Sequence, residues 1–185
     1  MRPSPRRCWA THPALLLVLA SCLIIGVPAP GVAADPYADL DLIRLARSTP
    51  APDFTVPRLG SGSVGLKELR GQLVFLNFWA TWCLPCEEEM PSMERLHQRY
   101  KSRGFVVLGL SVDRNGPAVP PFVKRLGLTF PIGLDPDMVV ADRYRVRALP
   151  STFLIDRNGN TVAVAFGARK WDSKAAQEII EDLLK

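Results

Sequence analysis

Cys83 and Cys86 have the residue type and the spacing of a thiol–disulfide exchange site. The two cysteines are separated by two residues and directly follow the apolar run Leu73–Ala80. Thiols this close can form a small disulfide ring and reopen it, passing two electrons to another protein. The other cysteines, Cys8 and Cys22, lie in the first 34 residues. The sequence therefore predicts redox chemistry at Cys83 and Cys86.

Other uses of two cysteines at this spacing fit the chain less well. A structural zinc site needs four ligands, and no second Cys/His pair completes it. Covalent haem attachment needs a histidine directly after the second cysteine, where this chain has Glu87. An inert structural disulfide stays open as an alternative, although a domain of this size does not need one. We predict no metal and no cofactor.

A helix is predicted from about Cys83 to Arg103, with Cys83 at its N-terminus. The first residues of a helix present unpaired N–H groups and the positive end of the helix dipole, which lower the pKa of a thiol. Cys83 is therefore the predicted nucleophile, and Cys86, one turn further in, is the predicted resolving thiol. We expect Trp82 on the exposed rim around Cys83 and Trp79 in the core.

Glu89 is predicted to lie on the buried side of this helix. At about 100° per residue, Glu89 falls about 60° from Cys86, whereas Glu87 and Glu88 fall outside the apolar stripe. A buried carboxyl has a raised pKa, which suits it to moving protons to and from the resolving thiol. The alternative is that three consecutive acids form only a solvated first turn. The stripe is defined by Met90, Met93, Leu96 and Tyr100.

Strand and helix patterns alternate along the rest of the chain. Leu73–Ala80 and Phe105–Val112 are apolar at nearly every position, as in central strands covered on both faces. Asn158-Gly159 is a strong hairpin signal between two later strand patterns. The order predicts an α/β fold with a mixed sheet. The remaining predicted elements are strands at Asp53–Val56, Val64–Leu66, Phe130–Leu134, Thr152–Asp156 and Thr161–Phe166, and helices at about Pro117–Leu126, Asp137–Tyr144 and from Asp172 or Ser173 to Lys185.

Residues 1–34 are predicted to direct export. Three arginines in the first seven residues precede the apolar run Ala14–Val27 and then small residues, which is the layout of a secretory signal. Three outcomes are open: cleavage after Ala34, lipidation of Cys22 in a lipobox-like sequence, or retention of residues 14–27 as a membrane anchor. Each of them places the rest of the chain outside the cytoplasm.

The remainder is predicted to be one domain with a short lead-in. Residues 35–51 have the spacing of an amphipathic helix or linker, with Leu40 and Ile43 on its apolar side. Residues 52–185 are long enough for a single compact domain. The formal net charge of the 185 residues is +5, and no basic run with interleaved aromatics occurs. We therefore predict no nucleic-acid partner.

Several spaced motifs resemble one family. Val74–Cys86, with Pro91 five residues later, resembles the active-site strand and helix of the thioredoxin superfamily. Ala51–Val56 and Leu149–Asp156 narrow the resemblance to the exported TlpA/ResA/CcmG-like branch, which reduces disulfides in cytochrome c maturation and related assembly. The resemblance implies a thioredoxin-like fold: a central mixed β-sheet flanked by helices, an N-terminal β-hairpin and an extra βα insertion.

The same resemblance implies roles for individual residues. It implies a cis peptide bond before Pro150, so that Leu149 and Pro150, together with Trp82, contact an extended substrate near the cysteines. Glu89 matches a glutamate that this branch carries three residues after the second cysteine. Asn77 stands where ordinary thioredoxins have a buried aspartate.

The resemblance also implies partners and leaves other functions open. The expected partners are a client protein with a disulfide, for example apocytochrome c, and a membrane thiol electron donor. An oxidant or isomerase would use the same residues at a higher potential. A peroxidase is a further alternative, although peroxiredoxins carry Thr or Ser where this chain has Ala80. A copper carrier would need a suitable histidine, and His97 is on the wrong helix face.

Overall fold

The structure is a computed structural model that describes residues 35–185. The predicted export segment, including Cys22, lies outside the described residues. No helix between residues 35 and 185 is long and apolar enough to cross a membrane. The elements in this part of the chain are strands β1 (Ile43–Pro50), β2 (Thr55–Pro57), β3 (Ser63–Gly65), β4 (Leu73–Trp79), β5 (Phe105–Ser111), β6 (Ile132–Leu134), β7 (Ser151–Ile155) and β8 (Asn160–Phe166), and helices α1 (Pro36–Asp39), α2 (Leu84–Tyr100), α3 (Val119–Leu126), α4 (Val139–Arg143) and α5 (Lys174–Leu183).

Six of these strands form one mixed sheet in the order β1-β8-β7-β4-β5-β6. β4 runs parallel to β5 and antiparallel to β7, and every residue of β4 and β5 is buried. β2 and β3 form a separate hairpin, and the segment between β5 and β7 contains α3, β6 and α4. The predicted α/β fold, its central strands, the N-terminal hairpin and the inserted segment are confirmed.

Aromatic side chains pack on both faces of β4, because successive residues of a strand point to opposite sides. On one face Phe75 lies edge-on to Trp171, with ring centroids 4.6 Å apart. On the other face Phe78 packs on Tyr144 at 5.4 Å and on Phe153 at 5.8 Å. The central strand is thus covered on both sides, and its C-terminal end is held in a fixed position.

The predicted helix over residues 35–50 is wrong for most of its length. The helix α1 ends at Asp39, and the next residues form β1, an edge strand paired antiparallel with β8. Leu42 is buried, whereas Ile43, assigned to the apolar side of the predicted helix, is 52% exposed. Hydrogen bonding to a strand more than a hundred residues later outweighs the local helical spacing. This segment is part of the sheet.

Leu42 and Ile43 provide a direct test of this correction. Leu42 lines the same small apolar gap as Trp171 and Ile179. We expect Leu42→Ala to lower the free energy of unfolding by about 2–4 kcal/mol, because it removes buried methyl groups and leaves a cavity. The matched change Ile43→Ala is expected to shift it by about 0.5 kcal/mol or less. Urea unfolding measures both, and equal small effects would contradict the packing of this segment.

Candidate active site

The two cysteines lie where β4 passes into α2. The backbone nitrogen of Cys83 donates to the carbonyl of Ala80 at 3.1 Å, which closes the turn after the strand. Cys83 is the N-cap residue of α2, and its Sγ accepts a hydrogen bond from the backbone nitrogen of Cys86 at 3.3 Å. A disulfide joins the two residues. Cys83 is 6% exposed and Cys86 is 0% exposed, so Cys83 holds the accessible sulfur, as predicted.

Asp113 fixes the turn that leads to the cysteines. Its carboxylate accepts from the backbone nitrogen of Thr81 at 2.9 Å and from the Thr81 hydroxyl at 2.6 Å. The Ser111 hydroxyl also donates to it, at 2.8 Å. Sequence reasoning missed this residue, although a signal was present. Asp113 lies two residues after the end of β5, and the carboxyl ends of neighbouring parallel strands meet at one edge of a sheet.

Glu89 lies in α2 one turn after Cys86 and is 2% exposed. Its Oε1 accepts a hydrogen bond from Nδ2 of Asn77 at 2.8 Å. Its Oε2 accepts from Nε1 of Trp171 at 2.8 Å and from the backbone nitrogen of Arg169 at 3.1 Å. Donors from the central strand and from the loop before α5 therefore satisfy both oxygens, which is the condition for burying a carboxyl group.

Burial raises the pKa of Glu89 to about 7. The hydrogen bonds from Trp171, the Arg169 backbone and Asn77, together with the charge of Arg169, favour the ionised form and limit this rise. A carboxyl group with a pKa near neutral both accepts and releases a proton readily at physiological pH. Glu87 behaves differently: its hydrogen bond with Arg125, 2.6 Å long, lowers its pKa. Glu89 is the buried acid of the three, as the helical spacing predicted.

Arg169 connects the loop beside Glu89 to the N-terminal segment. Its Nε donates to the carbonyl oxygen of Leu40 at 2.6 Å. Its Nη2 donates to Oδ2 of Asp41 at 2.7 Å and to the Asp41 carbonyl at 3.2 Å. The Arg169 side chain is only 17% exposed. Residues 40 and 41 therefore hold in place the loop whose backbone nitrogen and indole bind Glu89.

The Leu149–Pro150 peptide bond is cis, as predicted. A groove of about 840 Å³ runs from Cys83 to this loop. It brings together the predicted residues Trp82, Cys83 and Leu149, and Trp82 is 72% exposed at its rim, whereas Trp79 is fully buried. Pro150 is buried and is not among the residues that line the groove. The other lining residues are Thr81, Leu84, Pro85, Val112, Asp113, Arg114, Asn115, Ala118, Met138, Val146, Arg147 and Ala148.

Glu89 faces a different cleft, of about 380 Å³, on the side of the loop before α5. The groove at Cys83 and this cleft have no lining residue in common. Cys83 thus lines one surface depression and Glu89 lines another. The cleft is lined by Glu88, Glu89, Ser92, Arg95, Ala168, Arg169 and Lys170.

The described residues contain no group of three or more His, Cys, Asp or Glu side chains placed to hold a metal ion. His97 is buried, and its Nδ1 accepts from the backbone nitrogen of Val107 at 3.4 Å. Its ring also lies edge-on to Phe130. These contacts place His97 in the core.

Comparison with known proteins assigns this arrangement to a family. A family profile described as the AhpC/TSA family matches residues 48–164. The chain belongs to this family. It is 40% identical over 131 residues to the thiol-disulfide oxidoreductase ResA of Bacillus thuringiensis, covering 71% of this chain and 75% of the relative. It is 44% identical over 123 residues to ResA of Geobacillus kaustophilus, covering 66% and 71%.

A solved structure supports the same assignment for this AhpC/TSA-family chain. A candidate thiol:disulfide interchange protein DsbE from Chlorobium tepidum superposes with a TM-score of 0.71 at 33% identity. The match covers 76% of this chain and 99% of that protein. The fold is thioredoxin-like, and the chain is a thiol-disulfide oxidoreductase. Its clients are therefore proteins that carry disulfides.

The raised pKa of Glu89 predicts a pH-dependent stability. Between about pH 4.5 and about 7 the folded protein keeps a proton on Glu89 that the unfolded chain has lost. The stability of the oxidised wild type relative to Glu89→Gln is therefore expected to fall as the pH rises through this window, by roughly 3 kcal/mol in total. Urea unfolding at stepped pH measures it. Glu88 is an exposed neighbour and supplies the control. The free energy of unfolding of Glu88→Gln is expected to change with pH as that of the wild type does.

Arg169 supplies a second prediction for the same carboxyl group. Arg169→Met removes a positive charge and releases the loop from residues 40 and 41, so Glu89 loses stabilisation of its ionised form. We expect the Glu89 pKa, followed by carbon NMR of the labelled carboxyl group, to rise above its wild-type value. Lys170 is an exposed neighbour, and Lys170→Met should leave the pKa of Glu89 at its wild-type value. A lower melting temperature with an unchanged pKa would give Arg169 a structural role alone.

Proposed function

We propose that this oxidoreductase works as an exported protein-disulfide reductase, with Cys83 as nucleophile, Cys86 as resolving thiol and Glu89 as the proton carrier for Cys86. The observation that carries the proposal is the buried Glu89 carboxyl group one turn after Cys86, with a pKa of about 7. Compared with an uncharged side chain, an ionisable carboxyl group is costly to bury at this position. The proposed function of the Glu89 carboxyl group is to exchange a proton.

Reduction of a client begins with Cys83. Its thiolate attacks one sulfur of the client disulfide, a mixed disulfide forms, and the other client sulfur leaves as a thiolate that takes up a proton. Cys86 then passes its proton to Glu89 and attacks the Cys83 sulfur. The second client sulfur leaves, and the enzyme is left with the Cys83–Cys86 disulfide that the structure contains. Two electrons have moved from the enzyme to the client.

The proton from Cys86 has a route that does not pass through the client. Glu89 lines the cleft beside Arg169, whereas a client docked at Cys83 occupies the groove. The ionised Glu89 can therefore accept the proton while the mixed disulfide still fills the groove. The carboxyl group then releases it to water on the other side of α2.

The acidic surroundings support the reducing direction. A strongly oxidising dithiol stabilises its reduced form as a thiolate. A buried carboxylate near the resolving thiol opposes ionisation of that thiol, and this acts against the thiolate stabilisation that the helix N-terminus gives to Cys83. The disulfide form is then favoured, and the reduced enzyme gives its electrons away readily.

The proposed client and donor follow from the relatives and from the sequence pattern. ResA relatives at 40% identity, together with the signal-like first 34 residues, support a site outside the cytoplasmic membrane of a bacterium. Apocytochrome c, whose haem-binding cysteines must be reduced, is the proposed client. A membrane thiol protein is the proposed electron donor, because each turnover leaves the enzyme oxidised. Residues 14–27 or a lipid on Cys22 would keep the enzyme near that donor.

Trapping of the mixed disulfide tests the assigned order of the two cysteines. Cys86→Ser retains the nucleophile but cannot resolve the intermediate, so its reduced form is expected to give a stable covalent complex with a client that carries a disulfide, seen on non-reducing gels and by mass spectrometry. Cys83→Ser is the matched control and should trap none, because Cys86 is fully buried. Equal trapping by both variants would contradict the assignment.

The reduction potential and the pH profile test the direction and the role of Glu89. Equilibration in dithiol buffers, followed by tryptophan fluorescence, should give a potential near or below about −230 mV, in the range of reductants. We expect the exchange rate of the wild type to rise as the pH increases through about 7, where Glu89 ionises. The exchange rate of Glu89→Gln should show no such rise near pH 7. A potential near about −120 mV would identify an oxidant. Faster reaction with hydrogen peroxide than with disulfides would identify a peroxidase.

A further inference from the structure

The groove at Cys83 has an exposed apolar rim. Trp82 is 72% exposed and Leu84 is 67% exposed, and they flank the accessible cysteine in the chain. Met138, Val146 and Leu149 supply further apolar surface in the groove. Large apolar side chains left in water beside a reactive group are typical of a surface that another molecule covers.

The two exposed charged residues that line this groove are both arginines. Arg114 follows β5 on one wall, and Arg147 precedes the cis-proline loop on another. The acid among the lining residues is Asp113, which is 4% exposed and is occupied by hydrogen bonds from Thr81 and Ser111. The groove therefore presents positive charge to an incoming molecule.

Neither arginine is neutralised by a strong ion pair within the described part of the chain. Arg147 lies 3.9 Å from an oxygen of Asp142, but both side chains are more than 70% exposed, and such pairs contribute little. Arg114 is exposed and forms none of the salt bridges found among residues 35–185. Both guanidinium groups are available to carboxylates of a partner.

We propose that the groove selects an extended client segment that carries aspartate or glutamate on both sides of its disulfide cysteine, with an apolar side chain placed on Trp82 and Leu84. The proposal rests on the reductase function and adds the chemical class of the substrate. Carboxylates flanking the cysteine would pair with Arg114 and Arg147. The backbone of an extended segment would lie along the cis-proline loop, where an added strand finds hydrogen-bond partners.

This type of recognition acts mainly on the rate of association. Positive charge around a groove attracts acidic partners and repels basic ones, and salt weakens both effects. Two exposed charge contacts change a rate by about threefold to tenfold at low salt. The preference is therefore expected to decline as ionic strength rises through about 0.15 M, where the Debye length is about 8 Å.

The experiment compares two disulfide peptides on the full chain in its reduced form. Both have the same core, and the cysteine is flanked by aspartates in one and by lysines in the other. We expect the wild type to reduce the acidic peptide about threefold to tenfold faster at low salt. Arg114→Glu/Arg147→Glu should reverse the order. Arg47→Glu/Lys101→Glu makes the same change in net charge at exposed positions outside the groove and should keep the wild-type order.

Hydroxyethyl disulfide, which is small and uncharged, separates the two proposals. Its rate reports the reactivity of Cys83 in each variant, and the peptide rates are divided by it; if the peptide order of Arg114→Glu/Arg147→Glu is then reversed, both the function and the substrate class hold. Equal rates for the two peptides in the wild type would overturn the charge preference and leave the reductase function standing. No reduction of any disulfide would overturn the function itself. A groove covered by a second copy, seen as dimers in sedimentation that Arg114→Glu/Arg147→Glu disperses, would also overturn the substrate class.

Discussion

The burial of one carboxyl group constrains much of this structure. Glu89 is almost inaccessible to water, and an ionisable group in that position needs a hydrogen-bond partner for each of its oxygens. The three partners come from two places: Asn77 from the central strand, and Arg169 and Trp171 from the loop before α5. Helix, strand and loop must all be in register for these bonds to form. The position of the cysteine-bearing helix is thereby tied to the core.

The two sulfur atoms receive different environments from the same short helix. Cys83, at its N-terminus, opens onto an apolar groove, and Cys86, one turn later, is closed off from water and lies near Glu89 in the sequence. A single helical turn thus separates the atom that meets the client from the atom that must lose a proton. The strand before the helix fixes this division, because Asp113 and the core aromatics hold its end.

The sequence was informative wherever the signal was local. The cysteine spacing, the helical angle of Glu89 and the continuous apolar strands each depend on residues close together in the chain, and all three are confirmed. The donors to Glu89 were missed, because Arg169 and Trp171 are 80 and 82 residues away and belong to no recognisable pattern. The edge strand β1 was missed for the same reason. Its partner β8 is distant, and its own residues, mostly exposed, lack the alternation that marks a half-buried strand.

Arg169 bonds residues 40 and 41 through its side chain and Glu89 through its backbone nitrogen, so residues far apart in the chain set the surroundings of Glu89. The region shared with the family, residues 48–164, contains both cysteines and Glu89, but it contains neither residues 40 and 41 nor Arg169. Substitutions in the two flanks can therefore change the surroundings of Glu89 while residues 48–164 stay the same. A chimera that exchanges only residues 48–164 would carry over the cysteines and Glu89. It would not carry over the flanking residues that hold the loop beside Glu89. Fragments intended to represent this enzyme should begin before residue 40 and extend past residue 171.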